Sequence, residues 1–140
     1  MTDLETAVKT LPGHTLVLCR DGNVQTSDVR GVTPMVDWLE NGADLRGYSA
    51  ADKVVGRAAA MLFIVAGVVA VYAETMSLAA EELLHRYGIA TSCGERTDRI
   101  RNRDRTDICP MEKAVADTED VTEGVARICA KLKELRGERP

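Results

Sequence analysis

The sequence predicts an α/β protein, a three-layer α/β/α sandwich whose mixed sheet begins with an antiparallel hairpin. Three observations predict it. An Asp21-Gly22-Asn23 turn separates two strand-like runs, the signature of a tight β-hairpin. Beyond that turn, helix-like and strand-like stretches alternate. Residues 68–73, Val-Val-Ala-Val-Tyr-Ala, form a continuous apolar run of the kind found in strands covered on both faces.

The elements follow in order. Residues 3–11 suit a short helix stopped by Pro12-Gly13, and 14–19 a strand that returns after the turn as 24–26. Thr33 as N-cap and Pro34 at the first helical position open a helix over 35–40, ended by Asn41-Gly42. Ser49-Ala50-Ala51-Asp52 has capping-box spacing, with Asp in place of Glu, and predicts a helix running through Lys53, Gly56 and Arg57 to about Ala66. That helix is apolar nearly all round, which places it between other elements. The strand 68–73 follows. Thr75 or Ser77 then caps a helix carrying Leu78, Leu83, Leu84 and Tyr87, which Gly88-Ile89 closes. Residues 89–93 and 99–102 are weaker strands. Two helices end the chain, one from Pro110 and one over 121–135, where Val125, Ile128, Cys129, Leu132 and Leu135 recur at helical spacing.

At 140 residues, 45% hydrophobic and 29% charged, the chain has the size and composition of a single domain over 1–136, with 137–140 as a frayed tail. A formal charge of −4 gives no electrostatic reason to expect nucleic acid or an anionic membrane as partner. Residues 58–73 carry no charge, but sixteen residues are short for a bilayer span, which needs about twenty. The composition also changes at Gly67 from Ala- and Leu-rich to Val-rich, as at the end of a buried helix and the start of a buried strand. The four cysteines, Cys19, Cys93, Cys109 and Cys129, are irregularly spaced without a C-x-x-C pair, so neither a disulfide framework nor a zinc knuckle is expected. The N-terminus has no basic region followed by an apolar run, and a reducing cytoplasm is the natural expectation.

Chemistry is expected where helices start beyond the carboxyl ends of parallel strands. Cys109-Pro110-Met111-Glu112 sets a thiol at a helix N-cap, with Glu112 placed to accept the Cys109 N–H and complement the helix dipole. A thiol in that position can become a nucleophile, or can simply cap. Lys53 and Arg57, four apart, would share one helix face, where an anion between them relieves their repulsion; the alternative is that Asp52 or another carboxylate pairs with one while the other reaches solvent. Gly56 costs about 1 kcal/mol against alanine inside a helix, which close approach of a backbone or ligand, or tight helix–sheet packing, would explain. Asn102-Arg103-Asp104-Arg105 offers guanidinium forks suited to phosphate or carboxylate, or is a solvated turn. Tyr72 is a core residue whose hydroxyl could reach the site. Neither His14 nor His85 has a nucleophile or metal-ligand partner nearby in sequence.

Taken together, Asp52-Lys53-Val54-Val55-Gly56-Arg57-Ala58-Ala59, then Val71-Tyr72-Ala73-Glu74 with Ser77, then Asn102-Arg103 and Cys109-Pro110-Met111-Glu112-Lys113-Ala114-Val115 give the chain its resemblance. It resembles an uncharacterised prokaryotic family, the domain of unknown function numbered 1893, over residues 16–117. The resemblance implies a cytidine-deaminase-like fold. Zinc deaminases hold their metal with H-x-E or C-x-E at one helix start and P-C-x-x-C at the next. The corresponding starts here, Asp52-Lys53-Val54 and Glu74-Thr75-Met76-Ser77, carry no such ligands, so no metal or other cofactor is expected and zinc-dependent deamination is disfavoured. The leading expectation is a deaminase-like domain binding a nucleotide or related anionic small molecule, with Lys53, Gly56, Arg57, Tyr72, Ser77, Asn102 and Arg103 as contacts. The alternatives are a thiol enzyme using Cys109 as nucleophile with Glu112 or Asp52 moving protons, and a non-catalytic regulatory or accessory subunit. A homodimer is compatible with each.

Overall fold

Residues 1–100 and 108–137 are described by the structure, a computed structural model. Helix α1 (Asp3–Thr10) starts at Thr2, whose hydroxyl accepts the Glu5 N–H while the Glu5 carboxylate accepts the Thr2 N–H. Strands β1 (Leu16–Arg20) and β2 (Asn23–Ser27) pair antiparallel with Arg20 opposite Asn23, leaving Asp21 and Gly22 to make the turn. Both turn residues have left-handed backbone, φ 50° and 80°, which matches the twist of the two strands. Helix α2 (Thr33–Glu40) begins one residue before the expected start, with Val32 as N-cap. There follow β3 (Ser49–Val55), α3 (Arg57–Ala66), β4 (Ala70–Ser77), α4 (Leu78–Arg86), β5 (Ala90–Thr97), α5 (Pro110–Val115) and α6 (Val121–Leu135).

The strands form one mixed sheet in the order β2-β1-β3-β4-β5, antiparallel across the first three and parallel from β3 to β5, and helices flank it. Side chains alternate along β1. Leu16 and Leu18 enter the larger apolar cluster with Phe63, Met61, Leu84 and Ile128, whereas Val17 and Cys19 meet Ala7, Leu11 and Ala51 in a smaller cluster under α1.

The main correction lies at 49–66, where the expected single helix is a strand, a glycine and a shorter helix. Alanine favours helix locally, but β3 has backbone partners on both sides, Ala50 standing opposite Leu18 of β1 and Val71 of β4. Pairing on two edges and complete burial of Ala50, Ala51 and Val55 outweigh a propensity difference of about 1 kcal/mol or less per residue. Strand β4 starts two residues later than expected and continues to Ser77, which then caps α4 by accepting the Ala80 N–H at 3.1 Å. Of the two weak strands, the first is β5, extended to Thr97; Arg99 and Ile100 lie beyond its end, and 101–102 lie outside the described residues.

The uncharged stretch 58–73 divides at Gly67, whose left-handed backbone (φ 81°) ends α3. Among the described residues, no helix is long and apolar enough to cross a membrane. Helix α3 is the hub of the helical side, in contact with α4, α5 and α6. Its approach to α6 is close at Gly124, where a Cβ would fall on Met61 Sδ and lie 3.2 Å from Met61 Cε. Overpacking a buried contact costs about 1–3 kcal/mol, of which alanine's better helix propensity returns about 1. Gly124→Ala should therefore lower the urea midpoint by a modest amount, roughly 1 kcal/mol in stability, with an unchanged m-value.

Candidate functional site

The N-terminus of α3 carries backbone N–H groups without partners inside the helix, and it lies at the carboxyl end of β3. Glu112 of α5 satisfies two of them. The Arg57 N–H donates to Oε1 and the Ala58 N–H to Oε2, each at 2.7 Å. This corrects the expected capping of α5 by its own Glu112. Cys109 is the N-cap of α5, but its side chain makes no capping bond, and its N–H donates to the Ile100 carbonyl at 2.9 Å. A carboxylate spanning two adjacent amides gains two charge-assisted bonds and meets the positive end of a ten-residue helix; capping the six-residue α5 offers less.

Gly56 explains itself here. Its backbone is extended, φ −102° and ψ −174°, so its role is space. A Cβ would collide with Glu112 Oε1, lie 2.6 Å from Glu112 Cδ and sit 2.7 Å from Ile100 Cγ1. Burial pushes the Glu112 carboxyl above its ordinary pKa, against the pull of the Ala58 and Arg57 N–H groups and the Arg57 charge. The Arg57 side chain turns away from any shared face with Lys53. It donates to the carbonyls of Thr118 at 2.6 Å and Ala116 at 3.3 Å, so α3 and the α5–α6 connection hold each other reciprocally.

Asp52 stands in the middle of β3, opposite Leu16, the first residue of β1, on one side and Ala73 on the other, with Cys93 opposite Ala73 in turn. Its Oδ1 accepts the Lys53 N–H at 2.8 Å. Burial raises its pKa from 3.8 to about 7, despite the N–H groups of Lys53 and Val54. Lys53, the next residue, faces the other side of the sheet, where its Nζ lies 3.1 Å from Glu74 Oε2. The expected Lys53 and Arg57 anion pair on one helix face is thus absent, because Lys53 belongs to a strand. Among the described residues, the structure gives Asp52 no cationic partner.

The other predicted residues are spread out. Tyr72 packs against the smaller cluster under α1, its hydroxyl beside Gly94. Ser77 is buried and serves as the cap of α4. Asn102 and Arg103 lie outside the described residues. Cys93, Cys109 and Cys129 pack at the margin of the larger cluster, and burial pushes the thiols of Cys19 and Cys129 up. Sequence reasoning missed Arg86 and Glu119, which converge with Arg57. That contact joins α3, α4 and the connection before α6, and no local pattern announces it.

With their N-caps, the starts of α3 and α4 are Gly56-Arg57-Ala58 and Ser77-Leu78-Ala79, whereas the starts expected to correspond to the deaminase ligands, Asp52-Lys53-Val54 and Glu74-Thr75-Met76-Ser77, lie within β3 and β4. Neither start offers imidazole or thiolate, and among the described residues no three His, Cys, Asp or Glu side chains are grouped to hold a metal ion. The described residues at these two helix starts do not fit a deaminase zinc centre.

These features define an α/β domain with a five-stranded mixed sheet and two carboxyls of raised pKa, Asp52 and Glu112, as its chemically distinctive groups. The model of TM1506, a domain of unknown function (DUF1893), matches residues 7–132, and the chain belongs to that family. The crystal structure of a DUF1893 family protein (TM1506) from Thermotoga maritima is similar, with a TM-score of 0.84 and 25% sequence identity over 94% of this chain and 91% of that one. No curated protein matches the sequence.

Proposed function

We propose that the chain is a deaminase-like domain without zinc chemistry, a three-layer sandwich that binds a nucleotide or related small molecule at the carboxyl ends of β3 and β4. The observation that carries this reading is Asp52, a half-buried carboxyl in the middle of β3, level with the first residue of β1, with no cation to compensate it among the described residues. Such a group costs stability, and ligand sites are where proteins keep such groups. With a pKa of about 7 it presents either a hydroxyl donor or a carboxylate acceptor at neutral pH. That suits the adjacent donors and acceptors of a nitrogenous base better than a phosphate, and the α3 N-terminus, the natural phosphate seat, is filled by Glu112. The thiol-enzyme alternative gains less support, because Glu112 spends both oxygens on α3.

The test is a thermal-shift screen of nucleosides and nucleotides on the wild-type chain and on Asp52→Asn. A ligand at a hundred times its Kd should stabilise the wild type by about 2.7 kcal/mol, and the ligand-induced shift should fall by at least about half in the variant. A panel that leaves the wild-type melting temperature unchanged overturns the reading.

A further inference from the structure

Arg57 and Arg86 reach one cavity of about 110 Å³ from different helices, α3 and α4. Its walls are completed by Ala79, Leu83, Glu82 and Glu119. The volume exceeds what one water needs by several-fold and suits a small oxyanion. The two guanidiniums already share an anion, and it is the chain's own. Glu119 Oε1 lies 3.4 Å from Arg57 Nη2, and Oε2 lies 2.5 Å from Arg86 Nη1.

The two partners differ in how firmly they are held. Arg57 is fixed by the carbonyls of Thr118 and Ala116, and its side chain is only 18% exposed. Glu119 is 71% exposed and belongs to the connection between α5 and α6, so its carboxylate is the less firmly held partner. Once it leaves, two guanidiniums face one remaining carboxylate, Glu82, which lies 2.8 Å from Arg86 Nη2. The site then carries a net charge of about +1, which matches a singly charged oxyanion better than a dianion.

We propose that Arg57 and Arg86 form an oxyanion site that Glu119 keeps occupied until a singly charged oxyanion, a carboxylate or a phosphodiester, replaces it. Guanidinium forks are the side chains best matched to both groups. The site is separate from the Asp52 reading and stands or falls without it.

The test follows the side-chain Nε–H resonances of Arg57 and Arg86 by NMR during titration with sodium acetate or sodium dimethyl phosphate at constant ionic strength. It uses the full chain as wild type, Glu119→Ala, and Glu119→Ala with Arg86→Gln. Glu119→Ala should bind one of the two anions saturably, at least about tenfold more tightly than the wild type, and the added Arg86→Gln should remove that binding. Whichever anion binds identifies the ligand's source chemistry. Linear shifts with both anions in Glu119→Ala overturn the site, as does binding that survives Arg86→Gln. Equal affinity in wild type and Glu119→Ala overturns the placeholder role of Glu119. Arg57 is left intact in all three proteins because its carbonyl bonds anchor the connection before α6.

Discussion

Asp52→Asn is expected to stabilise the protein at pH 8 and to leave its stability almost unchanged at pH 4. Asp52 has a pKa of about 7 in the folded chain against an ordinary value of 3.8. Between those values the folded state keeps a proton that the unfolded state has lost, so stability falls as pH rises through that window and levels off above it. Some three units at 1.36 kcal/mol each set an upper bound of about 4 kcal/mol, and partial access of solvent to this half-buried residue reduces the expectation to about 1–3. Asparagine removes the titration while its side-chain oxygen can still accept the Lys53 N–H. Urea unfolding at pH 4, 6 and 8 reads the effect as a gap between variant and wild type that opens with pH. A variant no more stable than the wild type at pH 8 would sink the claim that this carboxyl is unfavourably buried. The same experiment bears on function, since an acid that costs stability at neutral pH and assists no ligand has no evident reason to be there.

Much of this architecture is legible in local chemistry. The Asp-Gly hairpin, the Gly67 and Gly88 helix ends, the Ser77 cap and the spacing of α6 each depend on residues within a few positions of one another. What fails is whatever distant partners decide. Ser49-Ala50-Ala51-Asp52-Lys53 has a helical preference of its own, and it becomes a strand because β1 and β4 close on it from both sides. The site divides in the same way. The motif at Cys109 marks the start of α5 correctly, yet Glu112 acts on amides more than fifty residues away. Close approach at Gly56 is the right reason for the glycine, but the approaching group is a carboxylate from α5, which no spacing rule connects to it. The Lys53 and Arg57 pair fails for a related reason, because spacing of four brings side chains together only when both residues lie on one helix.

Gly56→Ala is expected to be among the most damaging single substitutions in the chain, lowering stability by about 3–4 kcal/mol. The added carbon collides with Glu112 Oε1 and lies within 2.7 Å of both Glu112 Cδ and Ile100 Cγ1. Overpacking alone costs about 1–3 kcal/mol, and displacing the carboxylate adds the loss of charge-assisted bonds worth about 1.5–3. Such a loss is a large share of the 5–15 kcal/mol that typically holds a domain together. Glu112→Ala should cost about 2–3 kcal/mol by itself, since it leaves the Arg57 and Ala58 N–H groups at a part-buried helix end without their acceptor. The decisive quantity is the coupling between the two. Once Glu112 is truncated, the Cβ at position 56 loses its worst collision, so the double variant should be more stable than the sum of the single losses by at least about 1 kcal/mol. Relief should remain incomplete because Ile100 still crowds the position. Additive losses in urea unfolding would mean that the glycine is required for some other reason. Coupled losses, with faster amide exchange in α5 in each single variant, would locate the damage in the contact that joins α5 to the start of α3.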